Sequence, residues 1–275
     1  MMFPIPLRHL ILGFTAITLA FGERADAEQI PSAAVAQREM ETDRPDFTEG
    51  ANTIAPYSVQ IEGGYTFTRD TDTGTQEQHT LPELLGRIGI SEGAELRLGW
   101  VGWEKSWDSR EGTAEGLTDL IVGMKGQIGE PNQLPVKLSF ITELEVPSGS
   151  NETRETDVIP QLKLLWASDL GASAAGELGI AGNLNFALPV DDEGRYPEAS
   201  GSFSMSLDLD DSWGAYLELF GFLPENGADR VDEAYVNGGV TFAVTETCQL
   251  DARVGAGIND DAADFFTGVG GAVLF

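Results

Sequence analysis

The chain has few of the residues on which most enzyme and metal sites depend. Its 275 residues include one cysteine, two histidines and four lysines. The single Cys248 excludes an internal disulfide and a cysteine-based metal site. Only His79 follows the first 27 residues, which leaves little room for histidine-dependent catalysis. We therefore expect no cofactor, no metal and no enzymatic activity.

Positive charge is also scarce. The chain has 16 Lys and Arg against 45 Asp and Glu, a formal net charge of -29. Nucleic-acid binding requires clustered basic residues, so this composition excludes a nucleic-acid partner. It equally excludes docking by charge on anionic lipid headgroups. Beyond residue 25 no apolar run approaches 18 residues, which excludes a helical membrane protein.

The first 27 residues have the pattern of a targeting segment. Arg8 and His9 precede an apolar stretch at Leu10–Phe21, and Ala25 and Ala27 form a small-x-small cleavage site. A transmembrane anchor is the alternative, but twelve apolar residues are too short to span a bilayer. We expect a signal peptide over residues 1–27, cleaved after Ala27, and an exported protein.

The rest of the chain alternates with a period of two. Leu138 and Phe140 alternate with Lys137 and Ser139, for example, which is typical of a strand with one apolar and one polar face. Most such segments have 10–14 residues, a length that suits a tilted strand crossing a bilayer. The pattern predicts twelve strands, at residues 57–69, 80–90, 94–103, 117–128, 135–146, 156–167, 172–188, 196–209, 213–223, 234–244, 248–258 and 264–275.

The connections between these strands alternate in length. The odd-numbered ones are long and polar, such as residues 104–116, whereas the even-numbered ones are mostly tight, such as residues 168–171. The last strand ends in Phe275, and a terminal aromatic residue is a recognition signal for the outer-membrane barrel assembly machinery. The sequence predicts an all-β, transmembrane, antiparallel up-and-down barrel of bacterial outer-membrane type over residues 57–275. We expect it to lie in outer-membrane lipid with both termini periplasmic.

Four motifs carry a family resemblance that runs over most of the exported chain: Thr42-Asp43-Arg44-Pro45, Gln60-x-Glu62, Glu95-Leu96-Arg97 and Gly116-Leu117-x-Asp119. It resembles the bacterial outer-membrane transporter family labelled "putative MetA-pathway of phenol degradation", which implies a barrel that passes small solutes, aromatic or apolar ones among them. One departure is Tyr57, which follows Pro56 where the resemblance implies glycine.

The polar face of the strands would line the lumen. We expect either a charged constriction that selects solutes or an ion-pair lattice that closes a narrow barrel. Lys125, Lys137 and Lys163 would form a basic ladder on three successive strands. The candidate lumen residues are Arg87, Glu95, Arg97, Asp119, Lys125, Lys137, Glu143, Glu145, Asp157, Lys163, Glu177 and Arg253.

Residues 28–56 are polar and lack periodicity. They form either a flexible periplasmic tail or a lumen plug. In the second case Arg44 would bridge lumenal carboxylates, and Phe47 would pack inside the barrel.

The functional expectation is an outer-membrane channel or transporter that passes small solutes passively through a narrow charged lumen. A closed structural or adhesive barrel is the alternative. An outer-membrane hydrolase is a weaker one, because it needs a serine activated by histidine. The spacing places His79 in the first outer loop, with no serine within five residues.

Overall fold

A computed structural model describes residues 40–71, 74–110, 112–129, 135–151, 153–191, 193–225 and 230–275. The predicted signal peptide and residues 28–39 lie outside these ranges. Within them, no helix is long and apolar enough to cross a membrane.

The fold consists of strands. In chain order they are β1 (Val59–Asp70), β2 (Gln76–Ser91), β3 (Ala94–Asp108), β4 (Gly112–Leu117), β5 (Leu120–Gln127), β6 (Lys137–Val146), β7 (Ile159–Ser173), β8 (Gly176–Ala187), β9 (Val190–Asp191), β10 (Gly194–Arg195), β11 (Glu198–Asp208), β12 (Trp213–Pro224), β13 (Glu233–Thr245), β14 (Cys248–Gly257) and β15 (Phe265–Leu274).

Twelve strand positions form one closed antiparallel barrel. β4 and β5 both pair with β3 and make up a single interrupted strand, while β9 and β10 form a separate small hairpin. The sheet closes because β1 pairs with β15, and the Phe275 amide donates to the Val59 carbonyl at 2.8 Å. Closure gives each of the twelve strand positions a hydrogen-bonded neighbour on both sides, as a sheet in lipid requires. The predicted twelve-strand barrel is confirmed.

The period-two pattern sorts side chains between the two faces of the wall. On β12, Leu217 and Leu219 are exposed on the outside, while Glu218 between them is buried inside. The same arrangement recurs around the barrel, so an apolar belt covers the outer surface and charged groups lie within. A soluble protein has its apolar side chains inside and its charged ones outside, and the reverse arrangement seen here is characteristic of a transmembrane barrel.

Three sequence-based boundaries were wrong. The loop predicted at residues 104–116 is largely strand, because β3 continues to Asp108 and β4 begins at Gly112. β2 begins at Gln76, so His79 lies in a strand, not in the first loop. The tight turn predicted at residues 168–171 belongs to β7, which continues through a bulge to Ser173. Ladder hydrogen bonds extend these strands where both faces are polar, and an alternation pattern cannot reveal such extensions.

The two ends of the barrel differ. At one end, here called the turn end, short connections such as Glu92–Gly93 join the strands, and β1 begins beside Phe275. The other end, the loop end, carries the connection at residues 147–158 and five others. Tyr57, at the turn end, has a φ of 62°. That left-handed conformation favours glycine, the residue that the family resemblance led us to expect there.

Candidate functional site: a charged and aromatic lumen

Residues 40–58, called the inner segment below, lie against inward-facing side chains of the barrel. Near the turn end, Thr53 donates to the Glu92 carbonyl at 3.2 Å, and Gln60 donates to the Glu41 carbonyl at 2.7 Å. Farther along, the Thr48 hydroxyl lies 2.7 Å from the hydroxyl of Ser202 on β11. The segment therefore enters the lumen from the turn end, reaches the far wall and returns to β1.

Asp43 of the inner segment lies among three buried cations. Its Oδ2 is 2.6 Å from Arg97 Nη1 and 3.6 Å from Arg87 Nη1, and its Oδ1 is 3.1 Å from Lys125 Nζ. Burial alone would raise the pKa of Asp43, but the charges of Arg87, Lys125 and Arg97 outweigh it and hold the pKa well below its usual range. Arg87 is in turn paired with Glu95 at 2.8 Å.

Glu49 connects this cluster to the next part of the wall. Its two carboxylate oxygens lie 2.6 Å from Arg97 Nη2 and 2.9 Å from Lys163 Nζ. Glu143 contacts the same two cations, at 3.1 Å and 2.9 Å. One continuous ion-pair network therefore joins the inner segment to β2, β3, β5, β6 and β7.

Arg44 points the opposite way from Asp43. Its Nη1 is 2.7 Å from Glu83, and its Nη2 is 3.5 Å from Asp251. The guanidinium lies over the paired glycines Gly64 and Gly270 of β1 and β15. A Cβ at Gly270 would lie 2.5 Å from Arg44 Nε, so only glycine leaves room for this side chain.

Glu218 binds the backbone of the inner segment. Its Oε2 accepts from the Phe47 amide at 2.9 Å, and its Oε1 accepts from the Thr48 amide and hydroxyl, each at 2.6 Å. Asp46 lies close by and accepts a 3.3 Å bond from the Ser204 hydroxyl. Burial and the nearby charge of Glu218 raise the pKa of Asp46 well above its usual range.

Aromatic rings cover the wall next to Glu218. Phe220 and Phe222 share the inward face of β12 with Glu218, and the ring of Phe47 lies 4.7 Å from that of Phe220. Phe220 also stacks on Tyr235 at 4.9 Å. The lumen therefore has a charged side on β2, β3 and β5 and an aromatic side on β12 and β13.

A cavity of about 540 Å³ lies between the inner segment and the loop end. Phe47, Asp46 and Glu49 form part of its lining, and Phe222 and Lys163 belong to the opposing wall. Its size is within the range of small-molecule sites.

The predicted lumen residues do not all belong to one cluster. Arg87, Glu95, Arg97, Lys125, Glu143 and Lys163 lie together as described above. Three others lie elsewhere: Lys137 is at the turn end, paired with Asp169 at 3.4 Å, Glu177 is exposed at the same end, and Asp157 is exposed in a loop. The predicted ladder of three lysines is therefore wrong, because Lys137 does not reach the interior.

The remaining predicted residues have local roles. Asp119 interrupts the strand between β4 and β5 and accepts from the Ser148 and Gly149 amides, both at 2.7 Å, which ties the long loop to the wall. Glu145 lines the cavity. Arg253 donates to the Pro45 carbonyl at 2.9 Å and to Thr66 at 2.8 Å.

The sequence reasoning missed two groups of lumen residues. Asp43 and Glu49 belong to an aperiodic stretch, and nothing in that stretch shows which side chain meets which strand. Phe220 and Phe222 could have been found, because they share the period-two face of the acidic Glu218.

Fold and lumen together define a transmembrane β-barrel of bacterial outer-membrane type. Residues 42–275 match the family described as "Putative MetA-pathway of phenol degradation", and the chain belongs to this family. The family expectation from the sequence motifs is thereby confirmed. A comparison with curated proteins found no match.

Solved structures share the fold. The COG4313 outer membrane channel from Pseudomonas putida F1 is similar with a TM-score of 0.60 and 13% identity, over 82% of this chain and 98% of that chain. The translocator domain of the autotransporter NalP from Neisseria meningitidis is similar with a TM-score of 0.53 and 13% identity, over 79% and 88%. The NanC porin follows with a TM-score of 0.50 and 8% identity, over 78% and 98%. At these identities the likeness shows the fold alone.

Proposed function

We propose that the protein is a bacterial outer-membrane channel for small solutes, held closed by the inner segment as a lumen plug. The supporting observation is the fit between segment and wall. Asp43 meets cations on one side, Arg44 meets acids on the other, and Gly64 and Gly270 leave space for its guanidinium. A tail without a role in the lumen would not require such complementarity.

The side chains that line the lumen indicate which small solutes would pass. The lumen combines a charged wall with rings that favour planar, apolar groups, and the cavity accommodates a small molecule. The chain as a whole is strongly acidic, at -29. Negative potential in a narrow lumen concentrates cations and repels anions, so passage of cations and neutral ring compounds is proposed over passage of carboxylates.

The same proposal includes the route to the membrane. The chain is exported with the predicted signal peptide, and the assembly machinery recognises the C-terminal strand with Phe275. Both ends of the barrel chain then lie on the periplasmic side, as does the turn end through which the inner segment enters.

Planar-bilayer conductance of Gly270→Ala tests the channel and its plug. The added methyl group collides with Arg44, so the variant should open more often than the wild type. The matched control is Gly271→Ala. A Cβ at Gly271 would lie 2.6 Å from a cross-strand carbonyl oxygen, and one at Gly270 would lie 2.5 Å from another, so both variants strain the backbone alike. Only the Gly270 methyl group would also contact Arg44. Equal conductance of the two variants would contradict the plug.

Reversal potentials in a salt gradient should show weak cation selectivity, and clear anion selectivity would contradict the charge argument.

A closed structural barrel is the second candidate, and the density of the ion-pair network favours it. Arg87, Glu62 and Glu95 are fully buried, with side chains in mutual contact. If neither the wild type nor Gly270→Ala conducts after normal assembly, the network is permanent and this second function is the correct one.

A further inference from the structure

The inner segment places a ring on the aromatic wall in the geometry of a bound ligand. The Phe47 ring is nearly parallel to that of Phe220, with centroids 4.7 Å apart and an interplanar angle of 11°. It meets Phe222 edge-on at 5.3 Å and 79°. These are the two arrangements that aromatic pairs prefer, so the wall offers one face and one edge to any planar ring.

Beside these rings lies the carboxylate of Glu218, whose hydrogen-bond donors among the described residues are all neutral. Glu218 is 1% exposed and accepts from the Phe47 amide, the Thr48 amide and hydroxyl, and Asn237 Nδ2. No ion pair among the described residues includes Glu218. Three of its four hydrogen bonds therefore depend on the inner segment remaining in place.

Asn237, next to Glu218, independently indicates that a hydrogen-bond donor could bind beside the aromatic wall. The residue is 1% exposed, and its Nδ2 is used by Glu218 at 2.9 Å and by the Tyr216 hydroxyl at 3.1 Å. Its Oδ1 is buried and has no hydrogen-bond partner. Two acceptors, one charged and one unsatisfied, thus lie next to the aromatic wall, and such groups are stabilised by an incoming donor.

We infer that Phe220, Phe222, Glu218 and Asn237 form a recognition site for a solute with a planar ring and a hydrogen-bond donor, either ammonium or hydroxyl. Phe47 and Thr48 occupy this site in place of the solute. The inference rests on the proposed channel function, because a solute that takes the site displaces the plug. It enters through the cavity, which Phe47 and Phe222 line.

The site also discriminates against a class of compounds. A ring that carries a carboxylate would place its negative charge beside Glu218, and among the described residues no cation pairs with that group. Repulsion of the wrong ligand provides specificity as effectively as attraction of the right one. Benzylamine and benzyl alcohol should therefore bind, whereas benzoate, which has the same ring, should not.

Calorimetric titration of the full chain in detergent micelles tests this inference. Benzylamine and benzyl alcohol should bind Phe47→Ala about tenfold more tightly than wild type, because the competing ring is gone. Leu219→Ala, on the lipid face of the same strand, is the control and should bind like wild type. Glu218→Gln should lower the preference for benzylamine over benzoate by about tenfold.

Each outcome has a defined meaning. Unchanged affinity in Phe47→Ala, or binding of benzoate as tight as that of benzylamine, would overturn the inference. If Glu218→Gln fails to assemble, the wild-type comparison of benzylamine with benzoate still decides. Selective binding without conductance would support the recognition site and contradict the channel, whereas conductance without binding would do the reverse.

Discussion

Removal of the charge of Asp43 should release the inner segment. In Asp43→Asn, Arg97, Lys125 and Arg87 each lose an anion that lies 2.6, 3.1 and 3.6 Å away, respectively. Breaking a buried ion pair by removing one partner costs about 3–5 kcal/mol. Arg97 and Arg87 retain other carboxylates, so we take the lower limit of about 3 kcal/mol, roughly a hundredfold in the docking equilibrium.

The same substitution three positions later provides the control. Asp46→Asn also replaces a carboxylate of the inner segment by an amide, but Asp46 lies near the carboxylate Glu218. It therefore removes repulsion, and docking should be unchanged or tighter. Two identical chemical changes in one short segment thus have opposite expected effects.

Thiol labelling measures both variants. Ala51→Cys in a Cys248→Ser background places a single thiol where Ala51 is 3% exposed, packed against Ile141 and Leu165. The thiol reacts only when the segment leaves the lumen, so the labelling rate reports the released population. Asp43→Asn should raise this rate about a hundredfold over the parent, and Asp46→Asn should not. A rise of equal size in both variants, or none in Asp43→Asn, would refute the electrostatic account of docking.

Three further predictions concern pH, lipid contact and closure. Docking raises the pKa of Asp46, so protonation accompanies docking. The labelling rate of the Ala51→Cys thiol, divided at each pH by its rate in Asp46→Asn to cancel the pH dependence of thiolate formation, should fall on acidification from about pH 8 to about pH 5. If this ratio instead rises on acidification, the sign of the Asp46 effect is wrong. Leu219→Arg, at the middle of β12, should destabilise the barrel by about 2–4 kcal/mol in denaturant titrations, whereas a change within experimental error would place that residue outside the lipid. Deletion of Phe275 should impair assembly because its backbone closes β15 onto β1, and normal heat-modifiable gel mobility of the deletion would contradict this.

The sequence predicted the barrel well because the membrane imposes a simple rule. Every strand that crosses lipid must alternate, and each strand such as β6 or β12 does so independently of its neighbours. Errors arose where the rule does not apply, at the polar extensions of β2 and β3 and at the bulge of β7. Both faces of these stretches are polar or irregular, so periodicity carries no information about them.

The lumen was predicted less completely, and for a physical reason. Alternation gave the inward direction of Arg87 and Lys125, but not their partners. The sequence placed Lys125 in a ladder with Lys137 and Lys163, whereas its nearest carboxylate is that of Asp43, 82 residues away in the chain. Contacts made by an aperiodic segment depend on where it folds, and only the three-dimensional arrangement shows that.

The charge balance of the wall explains why an acidic segment belongs there. Around the Asp43 cluster the strands contribute four cations, Arg87, Arg97, Lys125 and Lys163, against three carboxylates, Glu62, Glu95 and Glu143. Asp43 and Glu49 of the inner segment add two more carboxylates, so the cations are fully matched only when the segment is docked. The wall that faces Arg44 lacks a cation instead, and Arg44 supplies the positive charge that Glu83 and Asp251 share. The adjacent residues Asp43 and Arg44 thus each pair with a different wall, which makes docking specific. Loss of either charge should weaken docking without altering the strands.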